Sequence, residues 1–456
     1  MDWKGKRVTI LGGARQGQAA ARWLARHGAS VTLNDHRTVE QMIAARSALD
    51  DTPVTWLLGN HPVEILDTTD IICLSGGVPL DNPIVVEAAR RGIPLTNDTQ
   101  VFMETVPCHT VGITGSAGKT TTTTMVGEMA KTAFGDKVYV GGNIGDPLLN
   151  HVDKMKPDDL AILEISSFQL EQMTISPNVA TVLNITPNHL DRHNTMEAYT
   201  AAKQHILNFQ APGDTAVLCR DDPGSWGLHG NVNSRLVSFG FGHIPGKQDG
   251  SFLSNDILHL RERGVEIPML RCDQIQLRGE HNVMNALAAF AIGYAANIPL
   301  DAMREAAEDF HGVAHRLEFV REWKGAKWYN DSIATAPERT MAAIRSFTEP
   351  IVLLLGGRDK DLPWHELAAL IHKRVERVVI FGEAAEKISA ALKQAHGPLQ
   401  KTVETCKDLE EAVQAAARVT EPGEVVLLSP GGTSFDQFRD FEERGEAFRK
   451  WVSALS

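Results

Sequence analysis

Short apolar runs that end in glycine recur along this chain, and each is followed by a stretch with helical spacing. RVTILGG (7–13), TVGITG (110–115), PIVLLLGG (350–357) and EVVLLSPGG (424–432) are the clearest. A strand buried on both faces reads as a continuous apolar run, and a glycine at its carboxyl end opens a tight loop into the next helix. Repeated along a chain, this pattern predicts parallel, doubly wound α/β sheets with binding loops at the strand ends. At 456 residues the chain exceeds one compact core, so about three domains are expected.

The rhythm restarts twice. Residues 1–97 form the first expected domain, Rossmann-like, with QAAARWLARHG as a helix stopped at Gly28 and SVTLNDHR as a strand ending in Asp35. Residues 98–312 form a central P-loop ATPase-like domain with strands in LAILEIS, VATVLNIT and TAVLCR, closed by the helical NVMNALAAFAIGYAAN. Its segment 221–275, rich in Gly, Asp and Ser, is expected to decorate the sheet edge. Residues 313–456 form a second Rossmann-like domain that begins with a hairpin turning near Gly325.

Charge and cysteine content narrow the function classes. Lys+Arg 45 against Asp+Glu 57 gives a net charge of −12, which argues against non-specific nucleic-acid binding and against an anionic membrane surface. The five cysteines are scattered and odd in number, so neither a disulfide framework nor a zinc knuckle is expected. The opening MDWKGKRVTI has no signal-peptide core, and no run approaches the ~20 apolar residues of a membrane span. The expectation is a soluble, cytoplasmic protein.

GITGSAGKT (112–120) carries the strongest chemistry. Gly112, Gly115 and Gly118 are expected to let backbone N–H groups reach a phosphate at a helix N-terminus. Lys119 then neutralises β/γ oxygens and the Thr120 hydroxyl serves Mg²⁺. Five residues separate the first glycine from Gly-Lys here, one more than in the common P-loop. No N-K-x-D sequence exists to read guanine.

The first glycine loop, GGARQG, followed by Asp35, resembles a dinucleotide fingerprint, but Ala14 stands at the second glycine position. Three readings stay open: a dehydrogenase, a bare strand–helix turn, or a site for another nucleotide such as a uridine diphosphate, with Asp35 and Arg37 on base and phosphate. Further along, Glu164 ends an apolar strand, His189 follows VATVLNIT, and Lys203 sits on a helix. Carboxylate, imidazole and hydroxyl are suitable partners for a magnesium site beside the phosphate loop.

Taken together, GITGSAGKTTTTTMVGEM, GGNIGDPLL, LEISSFQLE, NITPNHLDRH with AAKQHI, GEHNVMNALAA, AHRLE, WYNDSIAT, LLLGGRDKD and LLSPGGTSFDQFRDFEERGEAF resemble the Mur ligases of bacterial cell-wall synthesis. They fall in family order along essentially the whole chain. SSFQLE and SFDQFRDFEERG are similar to the glutamate-adding branch. The resemblance implies ATP-dependent addition of D-glutamate to UDP-N-acetylmuramoyl-L-alanine through an acyl phosphate, in peptidoglycan precursor synthesis. The chain would act as a monomer, with no nucleic acid or membrane insertion.

The same resemblance implies residue roles. Gly115, Gly118, Lys119, Thr120 and Thr121 would hold ATP phosphates. Thr120, Glu164, His189 and a carbamylated Lys203 would serve two Mg²⁺ ions, and Lys119, His189 and Lys203 would act in catalysis. Asn282, Arg316 and Asp331 would grip the adenine nucleotide, the last two reaching across from the third domain. Arg15, Asp35, Arg37 and Gly77 would hold UDP, which favours that reading of the first loop over NAD. Asn143 would contact substrate or phosphate, and Thr335, Lys360, Ser434 and Phe441 would frame the incoming glutamate.

One departure stands out: the family's NDSKATN is here NDSIATA, so Ile333 replaces a lysine, and Arg339 and Arg358 are the nearby cations. L-Glutamate is accordingly an alternative substrate. A folylpolyglutamate synthase would lack a separate UDP domain, and a dehydrogenase leaves Lys119 and Glu164 unexplained. A non-catalytic nucleotide-binding protein would leave the magnesium set idle.

Overall fold

Each apolar run ending in glycine forms a buried strand, and the strands assemble into three sheets. The computed structural model describes residues 2–188, 190–395 and 403–456. These divide into two compact units. One comprises Met1–Ile275 with Glu280–Phe310, the other Gln276–Gly279 with His311–Ser456.

The first unit holds two sheets. β1 (Arg7–Leu11), β2 (Ser30–Asp35), β3 (Val54–Leu58), β4 (Ile71–Leu74) and β5 (Leu95–Asn97) form an all-parallel sheet in the order β3-β2-β1-β4-β5. The order reverses between β1 and β4, which opens a crevice at their carboxyl ends. The helix Arg15–Arg26 covers this sheet because Ala19, Ala20, Trp23 and Leu24 share its buried face.

The second sheet comprises β6 (His109–Thr114), β7 (Val138–Gly142), β8 (Leu160–Glu164), β9 (Val179–Val182), β10 (Thr215–Cys219), β11 (Arg235–Gly240), β12 (Gly250–Ser254), β13 (Ile257–Glu262) and β14 (Val265–Arg271). Its order is β14-β13-β12-β11-β10-β9-β6-β8-β7. All pairings are parallel except β12–β13 and β13–β14. The antiparallel strands lie at one edge, in the polar segment 221–275. β6 is flanked by β8 and β9, so the loops leaving these three strands converge at one end of the sheet. The helix Glu280–Ala295 is buried from Asn285 to Ala295 and packs against the helix Lys119–Phe134 and strands β10 to β12.

In the second unit β15 (Glu318–Trp323) and β16 (Ala326–Asn330) form the expected hairpin around Gly325. β17 (Ile351–Gly356), β18 (Val375–Phe381), β19 (Val403–Cys406) and β20 (Val425–Gly431) complete a sheet in the order β15-β16-β20-β17-β18-β19. Alternation along β17 feeds two cores: Ile351, Leu353 and Leu355 join one apolar cluster, Val352 and Leu354 the other. Among the described residues no helix is long and apolar enough to cross a membrane.

Candidate active site

The loop between β6 and the helix Lys119–Phe134 is held open by its neighbours. The Ser116 and Ala117 amides donate to the Asn184 carbonyl at 3.0 Å and to Asn184 Oδ1 at 2.8 Å, which fixes the loop against the segment after β9. Gly118 caps the helix with φ +81°, and a Cβ there would meet Asn285 Oδ1 at 2.4 Å, so both backbone and space demand glycine. Gly112 corrects the sequence expectation. It lies inside β6, where a Cβ would meet Pro177 Cγ at 2.3 Å, so it serves packing rather than phosphate approach.

Oxygen ligands gather at the helix start. Thr120 Oγ1 donates to Glu164 Oε2 at 2.8 Å, and Asn143 Nδ2 donates to Glu164 Oε1 at 3.0 Å. The Asn143 amide also donates to the Glu164 carbonyl, at 2.8 Å. Glu164 is buried because it ends β8, and the parallel pairing of β8 with β6 and β7 brings Thr120 and Asn143 to it. Thr121 is buried one position further along the helix. A hydroxyl beside a carboxylate is an oxygen donor set that suits a small hard cation sharing its shell with phosphate and water. His189 lies outside the described residues.

Two lysines share one acceptor. Lys119 Nζ and Lys203 Nζ each donate to the Gly115 carbonyl at 2.9 Å, and Lys203 Nζ stands 3.5 Å from Thr114 Oγ1. Lys203 is 1% exposed and lies over the Tyr199 ring at 4.6 Å. Burial, and then the Lys119 charge, push its amine down to about 7. Asn282, on the helix Glu280–Ala295, accepts from Asn285 Nδ2 at 3.0 Å, and it is Asn285 whose Oδ1 stands against Gly118.

At the first sheet the Asp35 carboxylate is occupied by the protein itself. It accepts the Gly13 amide at 2.7 Å and both Nε and Nη2 of Arg37 at 2.9 and 2.7 Å. Burial alone would raise this acid, but the Arg37 and amide hydrogen bonds outweigh it and hold it well below the usual carboxylate range. Asp35 thus ties the GGARQG loop to Arg37. Arg15 begins the following helix, and Gly77 sits exposed after β4.

In the second unit, Asp331 follows β16 and is buried, accepting from Ser429 Oγ at 2.8 Å and from the Leu317 amide at 3.2 Å. Burial pushes its carboxyl up to about 7 against the pull of those bonds and of Arg316 and Arg339. Lys360 Nζ stands 3.4 Å from Thr335 Oγ1. Ser434 is buried after β20, and Phe441 opens the helix Phe441–Ser453 with its carbonyl accepting from Ser332 Oγ at 2.8 Å.

Comparison with known sequences matches all three sheets. Profiles of the Mur ligase MurD-like N-terminal domain, the Mur ligase middle domain and the Mur ligase glutamate ligase domain match residues 6–97, 113–293 and 315–432. The chain belongs to the Mur ligase family. It is 40% identical over 453 residues to the UDP-N-acetylmuramoylalanine–D-glutamate ligase of Symbiobacterium thermophilum, covering 99% of this chain and 98% of that one. It is 38% identical to the enzyme of the same name from Koribacter versatilis, covering 100% and 99%. Among solved structures, the UDP-N-acetylmuramate-alanine ligase MurC of Thermotoga maritima superposes with a TM-score of 0.57 at 20% identity, covering 98% of this chain and 100% of that one. MurF ligase of the same organism, in complex with ADP, gives 0.53 at 16%, covering 99% of each.

Two arginines of this Mur ligase escaped sequence reasoning. Arg192 donates to the Gly76 and Val78 carbonyls at 3.0 and 2.7 Å and lies over the Phe168 ring at 3.9 Å, so it clamps the turn containing Gly77. Beside it His193 is buried, 2.9 Å from Ser167 Oγ and 3.1 Å from Glu171 Oε1, and stacks on Phe168. Arg444 is fully buried and donates to Ser332 Oγ, the Ser332 carbonyl and the Gly432 carbonyl at 3.0, 2.8 and 3.1 Å. Burial lowers its guanidinium to about 10. It knits the loops after β16 and β20. Both arginines act on segments more than 100 residues away, and no local pattern announces such a contact.

Proposed function

We propose that this Mur ligase joins D-glutamate to UDP-N-acetylmuramoyl-L-alanine, with ATP hydrolysed to ADP and phosphate, in the synthesis of peptidoglycan precursors. The observation that carries the reading is the meeting of Thr120, Glu164 and Asn143 at the mouth of a phosphate loop, in a chain related along its whole length to ligases of that name. Residues 1–97 are assigned to the UDP-sugar, 98–312 to ATP and 313–456 to the amino acid.

A carboxylate is a poor electrophile, and activation removes that obstacle. Transfer of the γ-phosphoryl group to the alanyl carboxylate makes an acyl phosphate. The glutamate amine forms the new C–N bond, the C–O bond to phosphate breaks, and the amine proton is released as phosphate leaves. Gly115 and Gly118 leave room for phosphate oxygens at the helix N-terminus, Lys119 offsets their charge, and Thr120 and Thr121 in the same first turn are assigned to hold them. Asn282 of the first unit is assigned to the adenine nucleotide, and so are Arg316 and Asp331 of the second.

Thr120 and Glu164, with His189, are the residues assigned to hold two Mg²⁺ ions, whose chemistry is to neutralise the charge that gathers between carboxylate and triphosphate. Lys203 suits carbamylation. A buried amine near 7 is substantially neutral at physiological pH, and a neutral amine adds CO₂ to give a carbamate and one proton. The product would set an anion beside Lys119. Arg15, Asp35, Arg37 and Gly77 are assigned to UDP, with Asp35 also bonded to Arg37; Thr335, Lys360, Ser434 and Phe441 are assigned to glutamate. We take one chain as the working unit, since it carries all three sets of groups. The cytoplasm is the site of action, where UDP-sugars and ATP are found.

The test is ATP-dependent phosphate release with UDP-N-acetylmuramoyl-L-alanine, comparing D- and L-glutamate. Release with the D form alone is expected. Preference for the L form would keep the chemistry and overturn the stereochemical assignment.

A further inference from the structure

Several cations stand near the carboxyl ends of β16, β17 and β20, and the partners of Arg358, Arg444, Lys360 and Arg339 differ. Arg358 is neutralised by Glu383, with Nε and Nη2 at 2.8 and 3.0 Å from the carboxylate. Arg444 is spent on buried carbonyls and on Ser332. Lys360 and Arg339 have no ion-pair partner among the described residues. Lys360 stands 3.4 Å from Thr335 Oγ1, and Arg339 Nη1 donates to the Ile333 carbonyl at 3.2 Å. The two are electrostatic neighbours: burial and then Arg339 lower the Lys360 amine, with Glu338 pulling the other way.

The position of Arg339 is itself informative. It is the third residue of the helix Pro337–Arg345, where a positive side chain opposes the helix dipole. Its bond to the Ile333 carbonyl and its pull on the buried Asp331 leave the charge without a close carboxylate partner among the described residues, and a local rule broken in this way points to a functional role. The Ile333 carbonyl also receives the Thr335 amide at 2.9 Å, so the guanidinium is pinned to the same turn that presents Thr335. A dicarboxylate amino acid brings two negative groups, and a cation gives each its strongest hydrogen-bonding partner.

We propose that Arg339 is a specificity-determining residue that pairs with one carboxylate of glutamate while Lys360 pairs with the other. The inference rests on the assignment of the Thr335–Lys360 region to the amino acid. It deepens that assignment by adding a residue that supplies the second cation, next to the apolar Ile333.

The experiment is steady-state kinetics of Arg339→Gln and Arg339→Lys, with D-glutamate and with D-norvaline, which lacks the side-chain carboxylate, and with 4-aminobutyrate, which lacks the α-carboxylate. Arg339→Gln is expected to raise KM for D-glutamate by about 10- to 100-fold, the loss typical of one charged hydrogen-bonding partner. Its kcat and its KM for ATP should stay within about threefold, and Arg339→Lys should recover part of the loss. The preference for glutamate over one of the two monocarboxylates should shrink by the same factor. Unchanged Tm, or a slight rise from relief of the dipole conflict, would show that folding is intact. A wild-type KM for D-glutamate in Arg339→Gln, or a matching rise in KM for ATP, overturns the inference alone. Absence of glutamate-dependent phosphate release by the wild type would overturn the amino-acid assignment itself.

Discussion

Replacing Lys203 by methionine should abolish ligation and yet stabilise the protein. The ammonium is 1% exposed and, among the described residues, has the Gly115 carbonyl at 2.9 Å and Thr114 Oγ1 at 3.5 Å as its acceptors. Moving its titration from 10.5 to about 7 corresponds to roughly 5 kcal/mol against the buried charge. Methionine forfeits those hydrogen bonds, about 1–2 kcal/mol. The Gly115 carbonyl keeps Lys119 as donor, so no orphan acceptor is left. The net gain is about 2–4 kcal/mol at pH 7, in the range seen when apolar residues replace buried charge.

The sign of the pH dependence follows from a folded-state pKa below the unfolded one. Below pH 7 both states are protonated and the penalty is full. Between about 7 and 10.5 the unfolded chain holds a proton that the folded one has lost, so wild-type stability rises and the advantage of methionine shrinks. Calorimetry of both proteins from pH 6 to 10, in magnesium-free buffer depleted of CO₂, reads this directly. The unfolding transition of the first unit should rise by roughly 4–10 °C at pH 7, with a gap that closes as pH rises. A less stable Lys203→Met at pH 7, or a gap independent of pH, would refute the reasoning.

Asp331→Asn acts with the opposite pH sense. The folded carboxyl is raised to about 7, so its penalty is full above that pH and is relieved as pH falls towards the unfolded value. Denaturation of the variant should show about 1–3 kcal/mol of added stability at pH 8, fading towards pH 4, together with weaker ATP binding by calorimetric titration. Thr120→Val removes the hydroxyl that meets Glu164 while keeping its shape. Magnesium-dependent kcat/KM for ATP should fall by about 10- to 100-fold, and a wild-type value would remove Thr120 from the metal assignment.

Much of the catalytic loop was legible because its signals are local. A strand, a glycine loop, Lys119 and Thr120 lie within a dozen residues. Glu164 at the end of β8 was equally visible, but its meeting with Thr120 depends on β8 lying beside β6, a fact of strand order that no local pattern carries. Gly112 and Gly118 look alike in sequence, yet one makes room for Pro177 and the other turns the chain into a helix. Asp35 reads as a ligand for a nucleotide, and the structure adds that its carboxylate also accepts from Gly13 and Arg37, contacts that no local pattern announces. Ile333 left two arginines as replacements for a missing charge, and only their partners separate them. Glu383 neutralises Arg358, while Arg339 has no ion-pair partner among the described residues.

The central claim, that a carboxylate is activated by phosphorylation before the amide forms, is tested most directly with ¹⁸O in the alanyl carboxylate of UDP-N-acetylmuramoyl-L-alanine. Phosphoryl transfer to that carboxylate, followed by attack of the glutamate amine on the carbonyl carbon, predicts that each phosphate released during ligation carries one oxygen from it. Mass spectrometry of the phosphate should therefore show the label in proportion to amide formed. Unlabelled phosphate alongside a normal yield of amide would contradict the account.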